Sequence, residues 1–144
     1  LESLESGRAA ERFAAMVEGQ GGPSGLLDQV EAKLPVAPHV SPVYPAREGY
    51  VDSIDTRKAG AVVVTLGGGR RRAEDRIDPS VGISEIAGPG QRVGPSEPLA
   101  FLHAASQDEW RMAATLLTDA FSISDNQIEP PKVIHACVSG EKLQ

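Results

Sequence analysis

Apolar residues recur along the chain at two spacings, one typical of helices and one typical of strands. Near the start, four of them share one helical face at i, i+3, i+4 and i+7: Ala10, Phe13, Ala14 and Val17. We therefore predict a helix over residues 1–18, ended by the glycine-rich stretch 19–23. A second, short helix is expected after Ser24, a residue type that favours N-caps. Its apolar side comprises Leu26, Leu27, Val30 and Leu34.

A cluster of prolines follows this second helix. Four occur within eleven residues: Pro35, Pro38, Pro42 and Pro45. Proline fixes its own φ angle and stiffens an extended chain. The pattern predicts an extended connector over residues 35–45 and a domain boundary there.

Strand-type composition dominates from residue 43 to residue 103. Tyr50, Ile54 and the apolar run 62–66 have the β-branched and aromatic character of strands, and turn residues separate them. The run 99–103 is expected to be the last buried strand.

A capping box marks the start of a final helix. Ser106 is a good N-cap and Glu109 stands three residues later. The predicted core-facing stripe consists of Trp110, Ala113, Ala114, Leu117, Ala120 and Phe121. We expect this helix to end at residues 124–126. Residues 126–144 form a tail, with a possible edge strand at 133–138.

Composition restricts the class of protein. The chain has 144 residues, 40% of them hydrophobic and 24% charged, which is typical of one soluble globular domain. A net charge of −6 argues against a general nucleic-acid binder. No apolar run reaches the roughly 20 residues of a membrane helix, and Cys137 is the only cysteine. We expect a cytoplasmic protein with no membrane association. Because the chain lacks an initiating Met and opens within a predicted helix, we also expect a fragment of a longer protein.

The stretch Gly67-Gly68-Gly69-Arg70-Arg71-Arg72 is the strongest candidate for chemistry. Glycines widen the conformations open to the backbone, and arginines place cationic forks beside it. The first interpretation is a phosphate cradle. A P-loop of this kind has a Lys-Ser/Thr pair and a following helix whose N-terminus faces the anion, and this stretch has neither. As a β-turn it would carry solvated arginines balanced by Glu74, Asp75 and Asp78.

An ordered set of short motifs resembles the C-terminal segment of thymidine phosphorylases, within the pyrimidine nucleoside phosphorylase family. The motifs are Gly7 to Phe13, Met16-Val17, Gly21 to Pro23, Leu34-Pro35, Gly49 to Val51, Ile54 to Arg57, Gly67 to Arg70, Asp75 to Asp78 and Val81-Gly82. The resemblance covers roughly residues 5–125. It implies an α+β fold with an α/β-hammerhead-like C-terminal domain, a twisted sheet or barrel-sandwich with a flanking helix. Helices from the end of a central α/β domain would precede it.

The same resemblance implies how the chain is divided. Residues 1–34 would be the helical end of the central α/β domain and residues 35–45 the proline-rich connector. Residues 46–125 would form the C-terminal domain, and residues 126–144 the tail.

The resemblance also implies an activity for the whole enzyme, namely thymidine plus phosphate to thymine plus 2-deoxyribose 1-phosphate. Phosphate and thymidine or deoxyuridine would bind through domains not represented here, and a homodimer would form through a missing helical domain. The family's Ser-Gly-Arg-Gly signature and phosphate loop do not occur in this sequence. We therefore assign no catalytic, substrate-binding or metal residues and no cofactor, and we expect this segment alone to be inactive.

Within such an enzyme, Gly67, Gly68, Gly69 and Arg70 become candidates for a flexible loop at the mouth of the interdomain cleft, which orders when the enzyme closes. This third interpretation stands beside the phosphate cradle and the β-turn.

A second, weaker resemblance favours a different class of protein. Residues 45–51 and 90–100 are similar to the two ends of biotinyl and lipoyl carrier domains, which attach their cofactor to a lysine in an exposed hairpin. The corresponding residue would be Lys58, which lacks flanking methionines. An independent barrel-sandwich binding or carrier module is therefore the alternative function.

The remaining candidates for chemistry have simpler structural explanations. His39, His103 and His135 are too widely spaced for a zinc site. His103, at the end of an apolar strand, is expected to be a half-buried, hydrogen-bonded histidine. Four aspartates fit turn chemistry better than acid–base catalysis: Asp52, Asp55, Asp75 and Asp78.

Overall fold

A computed structural model describes residues 2–132, 134 and 136 of the chain. The chain divides into two compact units, Leu1–Val36 and Ala37–Gln144. The expected edge strand at 133–138 and the candidates His135 and Cys137 lie largely or wholly outside the described residues.

The first unit is helical. It contains α1 (Glu2–Glu5), α2 (Arg8–Gly19) and α3 (Val30–Lys33). The predicted helix over residues 1–18 is therefore broken, because Gly7 takes a left-handed φ of 78° between α1 and α2. The second predicted helix begins later than expected. Residues after Ser24 form turns, and the N-cap of α3 is Gln29.

Helix α2 ends in a glycine pair. The N–H of Gly21 donates to the Glu18 carbonyl at 2.9 Å, and the N–H of Gly22 donates to the Val17 carbonyl at 2.8 Å. Together with the φ of 83° at Gly21, this is a Schellman motif. Within this unit the apolar face of α2 remains open, since Phe13 is 47% and Met16 52% exposed.

Among its described residues, the second unit contains two antiparallel three-stranded sheets and two helices. The first sheet has the order β1 (His39–Val43), β5 (Ala100–Ala104), β3 (Gly82–Ser84), and the second has the order β4 (Arg92–Val93), β2 (Gly49–Ile54), β6 (Phe121–Ser124). The helices are α4 (Thr56–Thr65) and α5 (Gln107–Thr118). This architecture confirms the predicted α+β class.

Strand β1 lies inside the stretch that the sequence predicts to be a connector. Its residues pair in register with β5, from His39 opposite Ala104 to Val43 opposite Ala100. Pro42 is accommodated because β1 is an edge strand, where a missing N–H need not break a ladder on both sides. Proline density therefore did not prevent strand formation here.

The apolar run 62–66, predicted as a strand, lies on helix α4 and beyond its end. The Asp55 carboxylate caps the first turn by accepting from the Lys58 N–H at 3.0 Å. Val62 and Leu66 are buried and Ala59 packs against the core, which is helical spacing rather than strand alternation. The N-cap and the buried face outweigh the modest cost of β-branched residues in a helix.

Helix α5 begins as predicted and ends earlier. The Ser106 hydroxyl accepts from the Glu109 N–H at 3.3 Å. The helix stops at Thr118 rather than at residues 124–126, and the chain turns into β6, which pairs with β2. Ala120 and Phe121 therefore contribute to packing from beyond the helix.

The second unit has one continuous core. Its largest fully buried side chains are Val51, Val62, Val93, Leu99, Leu102 and Leu117. As expected, Trp110 and Phe121 pack against this core, although both are only partly buried. The Trp110 indole N–H donates to the Ser41 carbonyl at 3.1 Å, which ties α5 to β1. No helix among the described residues is long and apolar enough to cross a bilayer.

Candidate functional site

The three glycines of the candidate loop terminate helix α4. The N–H of Gly67 donates to the Val64 carbonyl at 3.1 Å, and the N–H of Gly68 donates to the Val63 carbonyl at 2.9 Å. Gly67 has a left-handed φ of 94°. This is a second Schellman motif, so the turn formed by these glycines is the end of a helix rather than a link between two strands.

Close packing requires glycine at the two positions that follow Gly67. A Cβ on Gly68 would lie 2.8 Å from Val63 Cγ1 and 3.3 Å from Val81 Cγ2. A Cβ on Gly69 would lie 2.8 Å from Val64 Cγ2. These residues therefore allow a close approach to the end of α4, in addition to any freedom they give the backbone.

A carboxylate organises the arginines that come next. Asp75 Oδ2 accepts from the N–H of Arg71 and from the N–H of Arg72, both at 2.9 Å. The Asp78 N–H donates to the Gly67 carbonyl at 2.9 Å and closes the segment on itself. We call residues Gly67–Arg76 the arginine loop.

This arrangement argues against a phosphate cradle built from backbone amides. Such a cradle needs convergent N–H groups that are free to bind an anion. Here the N–H groups of Arg71 and Arg72 already bind the Asp75 carboxylate, which occupies the position of an anionic ligand. Recognition of an anion would fall to the guanidinium groups instead.

The arginine side chains carry charge that is little compensated. Arg71 Nη2 donates to the Thr65 hydroxyl at 3.2 Å. Within the described part of the chain, the side chains of Arg70, Arg72 and Arg76 form neither a hydrogen bond nor an ion pair, and all three residues are exposed. Residues 56–76 hold six Lys or Arg and two acidic residues, which gives +4 within a chain of net charge −6.

Asp78 anchors the chain just after the loop. Its Oδ1 accepts from the Ser80 hydroxyl at 2.6 Å and from the Ser80 N–H at 2.9 Å. The hydroxyl bond is the larger cause, and the backbone bond the second, of a lowered pKa for the Asp78 carboxyl. This is the turn chemistry expected of the aspartates, as are the N-cap role of Asp55 and the backbone contacts of Asp75.

The four residues singled out in the sequence, Gly67, Gly68, Gly69 and Arg70, lie together at one helix end. Turn chemistry was predicted for Asp75, but its two backbone partners, Arg71 and Arg72, were not identified from the sequence. Asp75 stands four residues after Arg71 and three residues after Arg72. At this spacing an Asp side chain can accept hydrogen bonds from nearby backbone N–H groups.

The histidines are structural in the described residues. His103 Nε2 lies 2.8 Å from the Ser84 hydroxyl and is partly buried, as predicted. His39 packs edge-on against Trp110, with ring centroids 5.8 Å apart. Among the residues that the structure describes, no three His, Cys, Asp or Glu side chains are grouped for a metal ion.

Lys58 does not occupy the position that a carrier domain requires. It lies in the first turn of α4 rather than in a hairpin, and its Nζ is 3.4 Å from the Asp119 carbonyl. The alternative of a cofactor-carrying module therefore loses its attachment site.

Comparison with protein families identifies the second unit. The model of the pyrimidine nucleoside phosphorylase C-terminal domain matches residues 50–124, just over half of the chain. The chain belongs to this family. The matched span runs from β2 to the end of β6 and contains the whole arginine loop. The family suggested by the short motifs is thereby confirmed for this part of the chain.

Two glycine substitutions, one within α4 and one just past its end, are expected to act in opposite directions. Gly60 lies inside the helix with open space around its missing Cβ, so Gly60→Ala should raise the free energy of unfolding by roughly 0.5–1 kcal/mol. Gly68→Ala should lower it by about 1–3 kcal/mol because Val63 and Val81 must move. Urea denaturation of both variants measures this. Equal effects would contradict the close packing assigned to Gly68.

Replacement of Asp78 should produce a pH-dependent loss of stability. A lowered native pKa contributes stability above the ordinary value of 3.8, and that contribution disappears as the pH falls through the native pKa. The urea midpoint of Asp78→Asn should therefore be lower than that of the parent at pH 7. Below pH 3.8 the two midpoints should approach each other. Asp52→Asn is the control, since its carboxylate has only a 3.4 Å contact with Ser53. A difference for Asp78→Asn that does not change with pH would refute this assignment.

Proposed function

We propose that this chain is the C-terminal part of a thymidine phosphorylase, which converts thymidine and phosphate to thymine and 2-deoxyribose 1-phosphate. The family match over residues 50–124 carries the proposal, because pyrimidine nucleoside phosphorylases are pentosyl-transferring enzymes. Preference for thymidine or deoxyuridine rests on the motif resemblance. Cytoplasmic nucleoside salvage and a homodimer formed through a separate helical domain are parts of the same proposal.

The segment itself would have a structural role and would provide a loop near the cleft mouth. The arginine loop supports this, since its unpaired guanidinium groups suit a path taken by phosphate and a sugar phosphate. Residues 1–34 would belong to the central α/β domain. The open apolar face of α2 at Phe13 and Met16 is the kind of surface that another domain covers.

The purified 144-residue chain should not catalyse thymidine phosphorolysis. No Ser-Gly-Arg-Gly signature occurs in it, and the backbone N–H groups of Arg71 and Arg72 in the arginine loop already bind Asp75. Release of thymine in the presence of phosphate is the measurement, with an intact thymidine phosphorylase as positive control. Turnover above background by the chain alone would overturn its structural role.

Arg70→Ala in the intact enzyme tests the cleft position. We expect kcat/KM to fall by about tenfold at low salt, and by less at high salt, because a steering charge is lost. Stability should not change, since the Arg70 side chain is exposed and has no described partner. Arg57→Ala, an exposed arginine in the first turn of α4, is the matched control. Parent-like kcat/KM for Arg70→Ala would reject the cleft role.

A further inference from the structure

A second concave surface lies away from the arginine loop. It is an open groove of about 600 Å³, and its wall includes Tyr50, Glu85, Gln91, Arg92, Phe101 and Gln127. This volume lies within the range of small-molecule sites. We propose that the groove binds a neutral, planar aromatic compound that carries a neighbouring N–H donor and C=O acceptor, as in an aromatic amide.

Two aromatic side chains give the groove its apolar surface. Tyr50 adjoins the fully buried Val51 on β2, and Phe101 adjoins the fully buried Leu102 on β5. Because alternate strand residues point to opposite faces, both rings lie on the sides of their sheets that face away from the core. They are half-buried, and no aromatic pair between them is found among the described residues. A planar ring therefore has aromatic surface to contact from two sheets.

The charged groups of the groove favour a neutral ligand with both a donor and an acceptor. Glu85 offers a carboxylate that makes no hydrogen bond to the residues described, and Arg92 offers guanidinium donors. Arg92 has only a long contact of 3.5 Å with Glu48. A free anion would be attracted by Arg92 and repelled by Glu85, whereas an amide can satisfy one group with its N–H and the other with its carbonyl.

The backbone at Glu85 provides independent support. With a φ of 50°, it is the one non-glycine residue in the left-handed region among those described. Glycine would occupy this conformation without steric cost, and a glutamate is unfavourable there. Strained residues of this kind concentrate at functional sites. A carboxylate that is needed at the groove explains why Glu85 occupies a position suited to glycine.

Part of the groove wall is held in place by hydrogen bonds. Gln91 Oε1 accepts from the Gly88 N–H at 2.6 Å, and the Gly90 N–H donates to the Val51 carbonyl at 2.8 Å. A Cβ on Gly90 would lie 2.8 Å from the Ile128 carbonyl oxygen, so this part of the wall is closely packed. A preformed wall lowers the ordering cost of binding.

The test is a titration of the 144-residue chain with benzamide, followed by amide chemical shifts in two-dimensional NMR. Cyclohexanecarboxamide is the matched probe, because it has the same amide on a non-planar, non-aromatic ring. We expect saturable shifts near Tyr50, Gln91 and Phe101, with benzamide binding roughly fivefold or more tightly than its saturated analogue. No saturation by benzamide, or equal affinity for the two probes, would overturn the proposal.

Two variants separate binding from folding. Phe101→Leu should weaken benzamide binding at least about fivefold, whereas Phe121→Leu, outside this groove, should not. Glu85→Gly should weaken binding while raising the thermal midpoint, because it removes both the carboxylate and the strained φ. Unchanged affinity in Glu85→Gly would refute the role of the carboxylate, even if Phe101→Leu does not fold.

This proposal is independent of the phosphorylase assignment. Arg70→Ala in the same chain should bind benzamide as the parent does, since Arg70 is not part of the groove. Weaker binding by this variant would indicate that benzamide binds at the arginine loop, and it would overturn the assigned site.

Discussion

Burial of one face of helix α4 is the constraint on which the rest of the second unit depends. Val62 and Leu66 lie in the core, α4 packs on α5, and α5 packs on β1 and β5. Leu66 is the last buried residue of this face, and Gly67 reverses the backbone at the next position. The core therefore fixes where the arginine loop begins, and it does so through apolar contact rather than through any charge in the loop.

The carboxylate of Asp75 then determines what kind of recognition the loop can offer. By binding the N–H groups of Arg71 and Arg72, it removes the directional donors that a phosphate-binding nest uses. What remains is a set of guanidinium groups on flexible side chains. Their attraction for an anion is long-range and sensitive to salt, which suits capture near a cleft better than the positioning of a reacting group.

A helix could be predicted from the sequence where a capping or terminating residue and an apolar stripe indicated the same element. Ser106 with the apolar stripe from Trp110 to Leu117 predicted α5, and the glycines at 21–22 predicted the end of α2. The same glycine pair at 67–68 was misinterpreted because the preceding valines have strand character. Asp55 before Thr56 and the spacing of Val62 and Leu66 carried the helical signal. Strand β6 could not be predicted in this way, because it depends on pairing with β2, which is distant in sequence.

The matched family span and the structural unit differ in extent, and strand β1 lies in the part that the match does not cover. The family match begins at residue 50, whereas the compact unit begins at Ala37. Val43 is buried, and its carbonyl accepts from the Leu99 N–H at 2.7 Å. Removing β1 would expose one edge of β5 and would leave the Trp110 indole N–H without its acceptor, the Ser41 carbonyl. In contrast, no residue from 2 to 36 with a described side chain is buried. Apolar burial therefore defines a domain that starts at Ala37, just before β1.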